Sequence, residues 1–272
     1  MKLAIPKERS GDEPRVAATP DSVKKLIGLG FDVFVEASAG ARAGCLDVAY
    51  AAAGAKIAAS GAEALSGADL VFKVRGPEPG ELGAYAKGTM LVAMLNPYAE
   101  KERIAAYAAA GLSAYAMEFM PRISRAQSMD VLSSQSNLAG YRAVIDAAAA
   151  LSHAFPMMMT AAGTVPPARV LIMGVGVAGL QAIATARRLG AIVSATDVRA
   201  ATKEQVESLG ATFVAVIDEE FKAAETAGGY AKEMSPEYRA KQATLIAETI
   251  LKQDIVITTA LILPVVPTIG EL

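Results

Sequence analysis

The sequence predicts an α/β protein of two Rossmann-like, doubly wound domains with parallel sheets and a cleft between them, on three observations. Short apolar runs alternate with helical stretches along the chain, the pattern of strand–helix–strand units covered on both faces. The segment RVLIMGVGVAGLQAIATARRLGAIVSATD reads as strand, glycine-rich turn, amphipathic helix, second strand and terminal acid, the order of a dinucleotide-binding unit. The 272 residues, 53% of them hydrophobic, are enough for a substantial core, in one large domain or two ordinary ones. Two are expected: a companion domain over 1–136 and a nucleotide-binding domain over 137–272, the latter incomplete at its C-terminal end.

Taking the elements in order, KLAI and FDVFV are strands flanking a helix with Thr19 as N-cap, Pro20 at its first position and Gly30 at its close. Apolar runs at 55–58, 69–74, 89–95 and 112–116 continue the pattern, with the clearest helix at about 98–110. This half has no glycine fingerprint and reads as the second wall of a cleft. A polar linker, PRISRAQSMDVLSSQSN, separates it from LAGYRAVIDAAAALSHAF. There Leu138, Tyr141, Ile145, Ala148, Leu151 and Phe155 recur at helical spacing until Pro156 stops them. After the fingerprint come a strand at 212–216, a loop around TAGGYAKEM, a helix at about 236–252 and the strand DIVIT. That makes four strands where such a sheet usually has six.

The fingerprint carries the most chemistry. Gly174 permits the tight turn out of the strand, Gly176 lets a pyrophosphate approach the backbone, and Gly179 lets the helix pack close to the sheet. The helix N-terminus offers free N–H groups and a favourable dipole to phosphate. Asp197, at the end of the second strand, sits where a carboxylate takes both hydroxyls of an adenosine ribose. It repels a 2′-phosphate and so favours NAD over NADP, while Arg199, two residues on, points the other way.

Composition excludes several classes. A formal charge of -2 gives no basic field for nucleic acid or anionic lipid. The lone Cys45 permits neither an internal disulfide nor a cysteine metal cluster, and reads as a buried, inert thiol of a reducing cytoplasm. The start, MKLAIPKERS, lacks a signal-peptide apolar region, and no apolar stretch reaches the roughly 18 residues of a membrane span. A cytoplasmic protein without direct membrane insertion is expected.

Outside the fingerprint the residues have competing readings. The single histidine, His153, is read as a packing or surface residue near the end of the connector helix. A direct hydride transfer between two nicotinamide rings needs alignment and exclusion of water and no acid or base, and this sequence fits that demand better than a hydroxy- or amino-acid dehydrogenation. Arg122, Arg125, Gln127, Asp130 and Ser133 are either a solvated linker or a cluster opposite the fingerprint that meets phosphate, ribose and carboxamide. Gly228 and Gly229 either turn the chain or hinge a lid carrying Tyr230. Met157, Met158 and Met159 are expected to fill a core or the cleft floor. Lys7, Glu8 and Arg9 read as a charged strand end, with Arg15 able to face the cleft.

At this point the segments IPKERSGDEPRVAATP, MPRISRAQSMDVLSSQSNLAGYRAVI, TAAGTVPPARVLIMGVGVAGLQAIATARRLGA, ATDVRAATKEQVESLGA and AGGYAKEM resemble the NAD(H)-binding domain of the proton-translocating NAD(P) transhydrogenases, the soluble part of the alpha subunit. The resemblance runs from residue 1 to about 261, and RISRAQS with Asp130 and Ser133 is its most specific piece. It implies that Arg122, Gln127, Asp130 and Ser133 hold the nicotinamide end, with Arg122, Gln127 and Asp130 positioning it and none acting as acid or base. It further implies that the turn residues Gly174, Val175, Gly176, Val177, Ala178 and Gly179 carry the pyrophosphate. Asp197, with Val198 and Arg199, then holds the adenosine ribose, and Gly229 and Tyr230 lie on a mobile lid.

The resemblance implies NAD(H) as the cofactor, a homodimer, NADP(H) bound on a separate partner domain or beta subunit, and a membrane domain that couples hydride transfer to proton movement. That places the chain on the cytoplasmic face of the bacterial inner membrane through partner subunits.

An alternative is alanine dehydrogenase, which resembles this chain in fold and at the N-terminus. That family carries a lysine in a KVKEP-like segment and a histidine soon after the next strand, where this chain has Arg75 and Asn96. Arginine hardly deprotonates, and asparagine cannot give or take a proton as an acid or base at neutral pH. A third reading is a non-catalytic, truncated nucleotide-binding fragment. Beyond TTALI the family continues with a GKPAP-like segment and further strands, whereas this chain ends in LPVVPTIGEL; such an end is expected to leave a sheet edge uncovered.

Overall fold

The computed structural model describes residues 1–121, 123–222 and 234–259. The chain divides into two compact units, Met1–Val131 and Leu132–Leu272.

Unit 1 is built on six parallel strands, β1 (Lys2–Ile5), β2 (Asp32–Glu36), β3 (Lys56–Ala58), β4 (Leu70–Arg75), β5 (Met90–Met94) and β6 (Ser113–Ala116). Their order is β3-β2-β1-β4-β5-β6, the doubly wound order in which the winding direction reverses between the first and fourth strands. Four helices connect them: α1 (Pro20–Gly28), α2 (Asp47–Ala52), α3 (Gly61–Leu65) and α4 (Lys101–Ala109). Thr19 caps α1, its hydroxyl accepting from the Ser22 N–H at 3.3 Å, and Gly30 leaves the helix at φ +91°, as the sequence predicts. Strand alternation splits the core in two. Leu3 and Ile5 face Val23, Val35 and Tyr50, while Ala4 faces Val71, Leu91 and Tyr107 on the other side.

The strand end after β1 is charged, as the sequence reads, and part of that charge is buried. Glu8 is buried beside the buried Lys73, 3.7 Å away, and takes the Val74 N–H at 2.6 Å; Lys73 also reaches Glu81 at 3.3 Å. The isolated cost of burying one charge is met by bringing its partners along. Lys7 donates its backbone N–H to Glu36, and Arg9 pairs with the same carboxylate at 2.7 Å. Cys45 is half-buried rather than buried.

Unit 2 repeats the winding with four parallel strands among the described residues: β9 (Arg169–Met173), β10 (Ile192–Thr196), β11 (Thr212–Phe213) and β12 (Ile255–Thr258), in the order β11-β10-β9-β12. Relabelled within the unit this is 3-2-1-4, which sets the new strand β12 directly beside the fingerprint strand β9. Helix α6 (Val177–Arg188) buries Gly179, Ala182, Ile183 and Ala186 against the sheet, and α7 (Thr202–Ser208), α8 (Glu219–Lys222) and α9 (Pro236–Ile250) follow.

Three sequence expectations change here. Helix α5 (Val131–Ala150) begins seven residues before the predicted Leu138 and takes in VLSSQSN. Those residues are half-buried or exposed and none is fully buried, so the stretch leaves no apolar period to read. The buried face of α5 runs through Gly140 and Val144, with Ala147, Ala148 and Leu151 partly buried, while Leu138 and Tyr141 are exposed. The helix stops at Ala150, and beyond it the Ala168 N–H donates to the Phe155 carbonyl at 3.0 Å while the Phe155 ring enters the core; His153 is exposed in the turn between. Finally, Met157, Met158 and Met159 fill no core. They enter an exposed antiparallel hairpin, β7 (Met158–Thr160) and β8 (Gly163–Val165), whose turn uses Gly163 at φ +138°.

No helix among the described residues is long and apolar enough to cross a membrane.

Candidate functional site

The end of β9 passes through Gly174 at φ +100°, a left-handed backbone that a side chain would strain, and enters α6 at Gly176. The turn is compressed from behind. A Cβ on Gly179 would lie 1.9 Å from the Gly174 carbonyl oxygen, and one on Gly140 of α5 would lie 2.0 Å from that of Ala178. Both glycines are therefore explained by packing. Gly176 is not: its φ is an ordinary -83°, and a Cβ there would meet nothing within 4 Å. The fold has no internal need for glycine at Gly176, which lines the adjoining cavity, and no side chain caps the helix behind it.

That cavity, of about 470 Å³, lies wholly in unit 2. Gly174 and Gly176 form one side, Asp197 and Arg199 the rim of β10, Tyr238 and Gln242 of α9 the wall, and Thr259 the far edge. Its size is in the range of small-molecule sites. Asp197 is fixed by the turn itself: the Val175 N–H donates to Oδ2 at 2.7 Å and the Arg199 N–H to Oδ1 at 2.9 Å. Burial raises the Asp197 carboxyl, but the Arg199 guanidinium and these two backbone donors outweigh it and hold its pKa below the ordinary carboxylate value. Tyr238 gives its hydroxyl to the Val216 carbonyl at 2.9 Å, and burial pushes its pKa up to about 12, so it stays neutral. Gln242 accepts the Val216 N–H at 2.8 Å, and the Thr259 hydroxyl donates to the Gly174 carbonyl at 2.9 Å.

Of the sequence-predicted site residues, Gly174, Gly176, Asp197, Val198 and Arg199 line this one cavity. Val175 is buried beneath the turn, Val177 is exposed at the start of α6, and the Ala178 carbonyl lies against Gly140 of α5. Gln127 lies in a short 3-10 turn, Ser124–Met129, at the end of unit 1; Asp130 follows it, and Ser133 is in the first turn of α5. Arg122, Gly229 and Tyr230 lie outside the described residues. Sequence reasoning missed Tyr238, Gln242 and Thr259. Thr259 was within reach, because a fourth strand laid beside the first must end next to the glycine turn.

In unit 1, Glu13 is buried and accepts from Arg15 Nε and Nη2, both at 2.7 Å, and from Arg75 Nε at 3.0 Å. Arg15, which the sequence left able to face the cleft, and Arg75 are thus joined through one carboxylate of the chain itself.

A parallel sheet, a glycine turn into a helix N-terminus and an acid at the end of the next strand define a protein of the Rossmann dinucleotide-binding class. The comparisons place it further: residues 4–139 match the family described as Alanine dehydrogenase/PNT, N-terminal domain, and residues 143–265 match Alanine dehydrogenase/PNT, C-terminal domain. The chain belongs to the alanine dehydrogenase/PNT family. It is 62% identical over 267 residues to an NAD(P) transhydrogenase subunit alpha protein of Rhodospirillum rubrum, covering 96% of this chain and 70% of that protein. A solved transhydrogenase from Sinorhizobium meliloti superposes with a TM-score of 0.88 at 56% identity, over 96% of this chain and 70% of the other. Alanine dehydrogenase of Bacillus subtilis is more distant, 33% identical over 212 residues, 77% of this chain and 55% of that enzyme.

Proposed function

We propose that the chain is the NAD(H)-binding component of a proton-translocating NAD(P) transhydrogenase. It presents NADH for direct hydride transfer to NADP⁺ on a separate NADP(H)-binding domain, and a membrane subunit couples the transfer to proton movement. The observation that carries the reading is Gly176, a glycine with ordinary backbone angles and open space around it, at the mouth of an uncapped helix. Such a residue is explained by close approach of a ligand's pyrophosphate. The likeness to transhydrogenase alpha subunits supports the reaction proposed.

The residues divide the work. The Gly174–Gly179 turn and the α6 N-terminus take the pyrophosphate, and Asp197 takes the adenosine ribose. Arg122, Gln127, Asp130 and Ser133 orient the nicotinamide end, and Gly229 and Tyr230 also serve the bound nucleotide. Bound there, the nicotinamide supplies the hydride. The chain's residues exclude water and fix the ring, and none needs to move a proton, since a hydride exchanged between two nicotinamides leaves no proton to place. The protein works as a homodimer, docked through its partner subunits on the cytoplasmic face of the membrane.

Alanine dehydrogenation fits less well, since Arg75 is tied to Glu13 and to Asp12 at 3.5 Å and Asn96 is neither an acid nor a base at neutral pH. The test is reconstitution with an NADP(H)-binding partner domain, following hydride exchange between NADH and an NADP⁺ analogue. Exchange supports the reading. Intact nucleotide binding without exchange, or alanine-dependent reduction of NAD⁺ by the chain alone, sinks it.

A further inference from the structure

The sequence leaves Arg199 ambiguous, as either a bystander beside the ribose acid or the acceptor of a 2′-phosphate. The geometry answers differently. Asp197 has room for about four hydrogen bonds on its two oxygens, and four are made. Oδ1 takes the Arg199 N–H and Nε, each at 2.9 Å, and Oδ2 takes the Val175 N–H at 2.7 Å and Arg199 Nη2 at 3.0 Å. The guanidinium thus grips both carboxylate oxygens at once, and its Nη2 also reaches the Val175 carbonyl at 3.2 Å, closing the fork across the glycine turn. Asp197 is 7% exposed and Arg199 40%, so the acid is reached past the arginine. An acid whose acceptor positions are all filled has none left for a ligand.

We propose that Arg199 is an internal occupant of the ribose subsite, a guanidinium that the vicinal diol of a nucleotide must displace from Asp197. The inference deepens the reading of unit 2 as a nucleotide site and rests on it. A ribose diol brings two O–H donors, which replace Nε and Nη2 one for one while the two backbone donors stay. A 2′-phosphate removes one of those O–H donors, and drawing Arg199 to itself strips the guanidinium from Asp197 and sets a dianion against the bare carboxylate. The exchange balances for the diol and fails for the phosphate ester. Arg199 therefore tempers the affinity of Asp197 for the diol by having to be displaced, and it is the carboxylate left bare, not the arginine, that excludes the phosphate.

The test uses the full chain and two probes that lack the nicotinamide, ADP-ribose and 2′-phospho-ADP-ribose, titrated by calorimetry against wild type, Arg199→Ala and Arg199→Lys. The fork is charge-assisted but partly exposed, so Arg199→Ala is expected to bind ADP-ribose about three- to tenfold more tightly, with Arg199→Lys in between. The 2′-phosphorylated probe gains nothing. In wild type, the Arg199 Nε–H resonance is expected to shift on saturation with ADP-ribose, a readout that does not depend on either variant folding. Unchanged or weaker ADP-ribose binding by folded Arg199→Ala overturns the displacement while leaving the nucleotide site standing. An Nε–H resonance that saturation leaves unmoved does the same. If ADP-ribose binds neither wild type nor the folded variants, the nucleotide reading falls and this inference with it.

Discussion

Two alanine substitutions three residues apart separate what the glycine turn does for the fold from what it does for a ligand. At Gly179 a Cβ would sit 1.9 Å from the Gly174 carbonyl oxygen and 3.1 Å from Thr259 Oγ1. The first neighbour is backbone at a left-handed residue held on both sides, so α6 must lift from the sheet. Overpacking of this kind costs about 1–3 kcal/mol and more where backbone must move; about 3 kcal/mol is the expected loss for Gly179→Ala. For a domain of this size that is a fall in Tm on the order of 10 °C. At Gly176 the added methyl meets nothing within 4 Å and the backbone angles suit alanine, so Tm should stay within about 0.5 kcal/mol equivalent of wild type. The same methyl stands where a pyrophosphate must approach, and a clash of about 1.4 kcal/mol or more weakens NADH binding at least about tenfold. Calorimetric unfolding and NADH fluorescence titration on both variants check the pair. A Gly176→Ala protein that binds NADH as wild type does would refute the assignment of this turn to the pyrophosphate.

Further expectations follow from the same geometry. Asp197→Ala removes the acceptor for the ribose diol and should weaken NADH binding about tenfold or more while leaving NADPH binding less affected, read by the same titration. The Arg15 fork, against the opposing effect of burial, holds Glu13 below the ordinary glutamate pKa. The unfolded chain therefore takes up that proton first as pH falls, and the stability Glu13 contributes is present above about pH 4.3 and lost as pH drops through its lower folded value. Glu13→Gln should flatten the decline of the urea midpoint between about pH 5 and pH 3. The double substitution Met158→Ser, Met159→Ser touches only exposed hairpin residues and should leave Tm within about 0.5 kcal/mol equivalent of wild type; a large loss would mean that the hairpin is packed after all.

Strand–helix alternation was legible because each strand of a doubly wound sheet is a short apolar run punctuated by glycine or a cap. Thr19, Pro20 and Gly30 mark α1 in the sequence as they do in the fold. The glycine turn was equally readable, since Gly174 and Gly179 answer to local backbone geometry and packing. What escaped depends on partners distant in sequence. Glu8 is buried because Lys73 and Glu81 arrive from other segments. Phe155 is in the core although its helix ends at Ala150, with its carbonyl accepting from the Ala168 N–H of a later segment. The methionine run looked like core by composition, and only tertiary placement reveals that neither face of its hairpin is covered. The cavity wall formed by Tyr238 and Gln242 carries no motif, for it depends on where α9 lies across the sheet. Even the charge of Asp197 was readable while its state was not, since the four donors that fill it come partly from the turn 22 residues away.

The central claim is that unit 2 is an NAD(H) site, and fluorescence titration of the purified chain with NADH and, separately, NADPH tests it most directly. Saturable binding with a clear preference for NADH is the result predicted from the open Gly176, the uncapped α6 and the acid at the end of β10. A folded chain that fails to saturate with NADH, or that binds NADPH as tightly, contradicts it.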